Sequence, residues 1–151
     1  MTVPHPAIRE ATRDDAAELS RLLTILGHPT TTEEIRARWA GWVAEGNSAL
    51  VVEAGARTLA GVATLHVTTV LHRPKPVGRI TALVVDPSRR GEGLGGALVA
   101  AAETALAQAG CGLLEVTSNM RRGDAHAFYE HLGYERTSYR FVRDLEMTDR
   151  G

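Results

Sequence analysis

The chain has 151 residues, enough for one domain with a sizeable core, and its 44% hydrophobic and 23% charged content is that of a soluble globular protein. A net charge of −1 leaves no bulk electrostatic case for nucleic acid or an anionic membrane, and with no apolar run of about 18 residues no bilayer-spanning helix is expected. The opening "MTVPHPAIREATRDD" lacks the charged-then-apolar order of a secretory signal, and a single cysteine, Cys111, excludes an internal disulfide framework, so a reducing cytoplasm is the expected compartment.

In chain order, residues 7–12 ("AIREAT") read as a short first strand. Leu19, Leu22, Leu23 and Leu26 then recur at helical spacing, with Thr12 and Asp15 imitating a capping box and Gly27 as the stop. Thr31 and Glu34 make a better capping box for a second helix, whose stripe is Ile35, Trp39, Trp42 and Val43. The two tryptophans are read as core rather than as a substrate platform.

The period changes after Gly46 and Asn47. Residues 48–54 and 58–70 read as an antiparallel hairpin around "GAR", and the prolines of "HRPKP" (72–76) make that stretch a loop. Residues 77–85, "VGRITALVV", form a strongly apolar strand closed by Asp86-Pro87-Ser88. A helix of about four turns follows, with Leu94, Ala97, Leu98, Ala101 and Ala105 as its stripe and Gly110 and Gly112 as its stop. "LLEVTS" (113–118) is a strand, and 124–132 a short helix with Ala125, Phe128, Tyr129 and Leu132 inward. Residues 134–145 are expected as one long strand or two short ones. The order β-α-α-β-β-β-α-β-α-β describes a mixed α/β sheet, α+β in character, with helices on both faces.

Between the strand at 77–85 and the next helix lies "DPSRRGEGLGG". Gly91, Gly93 and Gly96 spell G-x-G-x-x-G, whereas Arg90, Gly93 and Gly95 spell R-x-x-G-x-G. The first pattern is the dinucleotide fingerprint, but in that fold the first glycine directly follows the first strand of a repeating βαβ domain. Here the glycines come late, "DPSRR" separates them from the strand, and Glu115, the acid about 20 residues on, falls mid-strand. A Walker loop needs G-K-[ST], which is absent. The reading that explains more residues is an anion cradle, with bare backbone at Gly91, Gly93, Gly95 and Gly96, a helix N-terminus behind it, and Arg89 and Arg90 beside it; a glycine-rich helix start with no ligand is the alternative.

"LVVDPSRRGEGLGGALV" resembles the acetyl-CoA loop of the GNAT superfamily of acyl-CoA-dependent N-acetyltransferases. "SNMRRGDAHAFYEHLGY" (118–134) is similar to that family's C-terminal motif, and the likeness spans about residues 7–145. The resemblance implies one domain built on a mostly antiparallel sheet of six to seven strands, with about four helices on both faces. The strands at 77–85 and 113–118 would splay to admit the cofactor. It assigns the backbone of Leu83, Val84 and Val85 to the pantetheine arm of acetyl-CoA and a strand amide near Val84 to the thioester carbonyl. The amides of Arg90, Gly91, Glu92, Gly93, Leu94, Gly95 and Gly96 would hold the pyrophosphate, and Asn119 would contact pantetheine. Tyr129 matches the family tyrosine that protonates the leaving thiolate, with core packing as its alternative role.

The general base is where the chain departs from the family. Many members carry a glutamate in the strand before the loop, and here Thr81 and Ala82 stand at those positions. An alkylamine of pKa about 10 must still lose a proton near neutrality, at a cost of roughly 4 kcal/mol. Glu115, His66, His28 or a water chain from Thr81 are the candidates. His126 and His131 are spaced wrongly for one helix face, so no metal is expected, and Cys111 reads as a turn residue rather than a nucleophile. The implied activity is direct transfer of acetyl to a primary amine, of a small molecule or of a peptide N-terminus or lysine. A non-catalytic acyl-CoA sensor on the same fold is the alternative class, and small relatives often form homodimers.

Overall fold

The structure is a computed structural model that describes residues 6–117 and 123–146. These fall into two compact units divided between Val116 and Thr117. The first contains β1 (Ile8–Glu10), α1 (Ala16–Leu26), α2 (Thr32–Ala44), β2 (Asn47–Glu53), β3 (Leu59–Thr68), β4 (Val77–Val85), α3 (Leu94–Gln108) and β5 (Leu113–Val116). The strands form one sheet in the order β1-β2-β3-β4-β5. The first three junctions are antiparallel and β4–β5 is parallel.

Register sorts the side chains between faces. Val51, Val62 and Val84 lie opposite one another, and with Ala49 and Leu59 they pack under Leu19 and Leu22 of α1 and Ile35 of α2. Trp39 and Trp42 pack, partly buried, against this cluster and against each other, ring centroids 5.1 Å apart. Val43, expected inward, is 47% exposed. The other face meets α3: a Cβ on Gly61 would touch Leu98, and one on Gly78 would press on Leu106. The buried residues of α3 are Leu94, Leu98, Val99, Ala102 and Leu106, a face rotated from the expected one. Alanines at 97, 101 and 105 suit any environment, so the bulkier Val99 and Leu106 decide which side turns to the sheet.

Local signals held where their partners are close in sequence. Thr31 Oγ1 accepts the Glu34 N–H at 3.1 Å, and Glu34 Oε1 accepts the Thr31 N–H at 3.1 Å. Asp15 accepts the Thr12 N–H at 2.8 Å, ahead of a 3₁₀ turn at Arg13–Asp15 that leads into α1.

The second unit contains α4 (Gly123–His131). Leu132, expected inward, is exposed. Residues 134–145, expected as strand, form none, so the described residues hold five strands rather than six to seven. Alternation such as Tyr139 and Phe141 around Arg140 records strand propensity. A strand is completed only by a neighbouring strand's N–H and C=O groups, and no described strand pairs with this segment.

Candidate active site

The site is built where β4 leaves β5. The two strands pair only from Val77–Leu113 to Ile80–Val116, while β4 runs on to Val85. Asp86 donates its N–H to Ala60 O at 2.8 Å. By the alternation of an antiparallel ladder, the backbone groups of Val84 also face β3, and those of Leu83 and Val85 face the opposite edge, which is open among the described residues. Val84 instead fixes the strand through its buried side chain.

A bulge shapes the same strand. Thr64 pairs with Ala82 and Leu65 with Ile80, so Thr81 is the extra residue. Thr81 Oγ1 lies 2.7 Å from Thr64 Oγ1 and donates to Thr64 O at 3.2 Å.

Beyond β4, Asp86 caps a 3₁₀ turn at Pro87–Arg89, accepting the Ser88 N–H at 2.9 Å and the Ser88 hydroxyl at 2.8 Å. Arg21 of α1 reaches the other Asp86 oxygen at 2.6 Å, and it also binds Glu18 and donates to Leu59 O at 2.8 Å. The loop entrance is thereby tied to α1 and β3. The Ser88 N–H, the Arg21 guanidinium and the Ser88 hydroxyl pull the Asp86 carboxyl down to about 2. A depressed folded pKa gives stability that is present above the ordinary carboxylate range and is lost as pH falls through about 2. Urea unfolding of the wild type and Asp86→Ala should therefore differ fully at neutral pH, and the gap should narrow steadily as pH falls from about 4 towards 2. A gap independent of pH would mean that Asp86 acts without its charge.

The glycine loop follows. Gly91 and Gly93 have φ of 86° and 77°, the left-handed region, and Gly93 is the N-cap of α3. The first amides of α3, at Leu94, Gly95 and Gly96, have no acceptor within the helix and carry its positive dipole end. A Cβ added at Gly91, Gly93 or Gly96 would meet nothing within 4 Å, so the backbone borders open space that side chains would fill. Leu94 is buried and anchors the helix start. Arg89 and Glu92 pair across the loop at 2.8 and 3.0 Å, which draws the Glu92 carboxyl down.

The expected base candidates are dispersed. Glu115 accepts from Arg79 at 2.9 Å, His66 Nε2 lies 3.3 Å from Glu45 O, and His28 is exposed in the α1–α2 connection. Tyr129 lies on α4, its ring edge-on to Phe128 at 5.1 Å and to Tyr134 at 5.8 Å. Asn119, Arg121 and Arg122 lie outside the described residues. Burial pushes the Cys111 thiol up, away from the thiolate a nucleophile needs. Among the described residues, no group of three or more His, Cys, Asp or Glu is arranged to hold a metal, and no helix is long and apolar enough to cross a membrane.

Two features escaped sequence reading. The Arg21–Asp86 tie joins residues far apart in the chain, and no local signal marks it. Arg79 had a signal: it is the one charge in an otherwise apolar strand.

The strand edge of β4 thus runs into the glycine-lined N-terminus of α3. The sequence profile of the acetyltransferase (GNAT) family matches residues 12–134, and the chain belongs to that family. It is 41% identical over 85 residues to an aminoalkylphosphonate N-acetyltransferase of Salmonella typhimurium, a match covering 56% of this chain and 55% of that protein. The matched segment thus spans about half the length of that relative. An acetyltransferase of Trypanosoma brucei superposes with a TM-score of 0.82 at 26% identity, covering 92% of this chain and 99% of that one. A GNAT family acetyltransferase of Staphylococcus aureus superposes with a TM-score of 0.78 at 19% identity, over 94% and 100% of the two chains, a likeness of fold alone.

Proposed function

We propose that this chain is a single-domain N-acetyltransferase that moves the acetyl group of acetyl-CoA to the primary amine of a small molecule, with both bound together. The observation that carries this reading is the continuity of the open Leu83–Val85 edge with the Gly91–Gly96 loop. An extended amide arm would find strand-like partners there, and a diphosphate would find helix amides beyond it. The family profile crosses the division between the two units, which supports one domain. The partial likeness to an aminoalkylphosphonate N-acetyltransferase supports a small aminoalkyl acceptor over a peptide. The cytoplasm is the compartment that fits a lone, unpaired cysteine.

The cradle fits the cofactor, because the backbone at Gly91, Gly93 and Gly96 opens to space that a side chain would occupy. Acetyl-CoA, when bound, supplies the activated acetyl thioester. Leu83 and Val85 would hold its arm, and one of their N–H groups would polarise the carbonyl. The amides from Arg90 to Gly96 would hold the pyrophosphate, Asn119 would bind the arm, and Tyr129 would hold the proton for the departing sulfur. Thr81, at the bulge, and Ala82 stand where the family resemblance would place a glutamate, so this strand supplies no carboxylate base there.

Release of free thiol from acetyl-CoA in the presence of a panel of small amines tests the reading, with calorimetric titration of acetyl-CoA, NADH and ATP alongside. Acetyl-CoA binding with acetylated product supports it. Binding of NADH instead would return the loop to the dinucleotide class, and tight acetyl-CoA binding without turnover of any amine would favour a sensor.

Glu92 sets a further expectation. Its carboxylate occupies Arg89 and adds negative charge to a loop meant for a diphosphate. Glu92→Gln should tighten acetyl-CoA binding about threefold to tenfold in low-salt calorimetry, with the gain shrinking as salt rises. Equal affinities at both salts would show that Arg89 does not face the cofactor.

A further inference from the structure

The face of the sheet beneath α1 and α2 changes character along its length. Ala49, Val51, Val62 and Val84 are covered by helices, but the same face continues as a polar line. Register places Asn47 opposite His66, His66 opposite Arg79, and Arg79 opposite Glu115, one residue from each of β2, β3, β4 and β5. The bulge at Thr81 creates this line. It shifts the phase of β4, so that Arg79 shares a face with Val84 although they stand an odd number of positions apart in the strand.

The members of the line differ in how far they are committed. Asn47 donates to Trp42 O at 2.9 Å and His66 lies 3.3 Å from Glu45 O, which ties that end of the row to the end of α2. Arg79 and Glu115 share a single hydrogen bond of 2.9 Å, and each side chain is 44% exposed. Arg79 Nε is shielded from solvent and has no hydrogen-bond partner among the described residues. A guanidinium carries five N–H donors in a planar fork that matches an acid group, so most of this one's capacity is unspent among the described residues. The pair stands one step before Ile80–Val116, the last rung before β4 and β5 part. It therefore lies at the mouth of the split that the acetyltransferase reading gives to the thioester.

We propose that Arg79 and Glu115 together select an acceptor that carries an acid group beside its amine, Arg79 taking the acid and Glu115 the ammonium. This inference rests on the acetyltransferase reading and names its substrate class. The two side chains rise from strands about 4.8 Å apart, a spacing that an amine and an acid on a short carbon linker can match. Neutral alkylamines would leave Arg79 unmatched, whereas a zwitterion would meet both charges.

The test uses the full chain with 2-aminoethylphosphonate and β-alanine, each compared with propylamine. Wild-type kcat/KM should favour the acid-bearing amines by about tenfold or more. Arg79→Gln should erase this preference by raising their KM, Arg79→Lys should restore part of it, and Glu115→Gln should weaken all three amines. Unchanged acetyl-CoA affinity by calorimetry would exclude misfolding. Equal use of propylamine by the wild type, or an undiminished preference in Arg79→Gln, would overturn the proposal. Calorimetry of 2-aminoethylphosphonate in the presence of coenzyme A separates the two readings. Binding that Arg79→Gln abolishes, with no turnover in any assay, would sustain the Arg79–Glu115 pair and sink the acetyltransferase reading. No binding by the wild type would sink the pair even if other amines were acetylated.

Discussion

Gly93→Glu is expected to weaken acetyl-CoA binding at least about a hundredfold while the chain keeps its helical content. Gly93 caps α3 at φ 77° and ψ 15°, a conformation that costs an L-residue about 1–2 kcal/mol. Part of that strain is offset, because a carboxylate at a helix N-terminus gains about 0.3–1 kcal/mol from the dipole. The new side chain meets nothing of the protein within 4 Å of its Cβ, so the folded state has room for it. The proposed ligand has none. The glutamate would occupy the diphosphate position and add like charge, worth about 1 kcal/mol at 4 Å in water and about 4 kcal/mol at a surface dielectric near 20. A hundredfold loss needs only about 2.7 kcal/mol. Gly93→Asn makes the contrast, since asparagine tolerates this backbone and carries no charge. Its loss in a calorimetric titration should be several-fold smaller. Native affinity in Gly93→Glu would move the phosphate site away from this loop.

Much of the fold was readable because the controlling contacts are short in sequence. Leu19 and Leu22 announce α1, and Thr31 with Glu34 starts α2, through interactions that span four residues or fewer. The glycine loop was readable for a related reason: a backbone that must turn left and stay bare admits few other residues. The face of α3 was not readable. Its alanines surround the helix, so the bulkier Val99 and Leu106 decide the face, and Gly61 and Gly78 leave room for Leu98 and Leu106 against the sheet. The Arg79–Glu115 pair was hidden for a stronger reason. It depends on a parallel register and on a one-residue bulge, and neither leaves a periodic trace in the chain. The segment 134–145 fails in the opposite sense, since its alternation is legible but no described strand lies beside it in the sheet.

Tyr129→Phe is the second large expectation. The substitution removes one oxygen and keeps the ring, so the edge contacts with Phe128 and Tyr134 survive and α4 should remain folded. A general acid in place is worth about 10²–10⁴ in rate, so kcat should fall within that range while acetyl-CoA affinity stays within about threefold. A purely packing role predicts the reverse, a small loss of stability with turnover preserved. The pH profile separates the cases further. A general acid must carry its proton, so wild-type turnover should decline on the alkaline side as that proton is lost. The phenylalanine variant has no such proton and should lack that decline on its much lower baseline. If kcat is unchanged, the proton reaches the departing sulfur from water, and the catalytic contribution of this chain reduces to the strand edge and the glycine loop that hold the thioester in place.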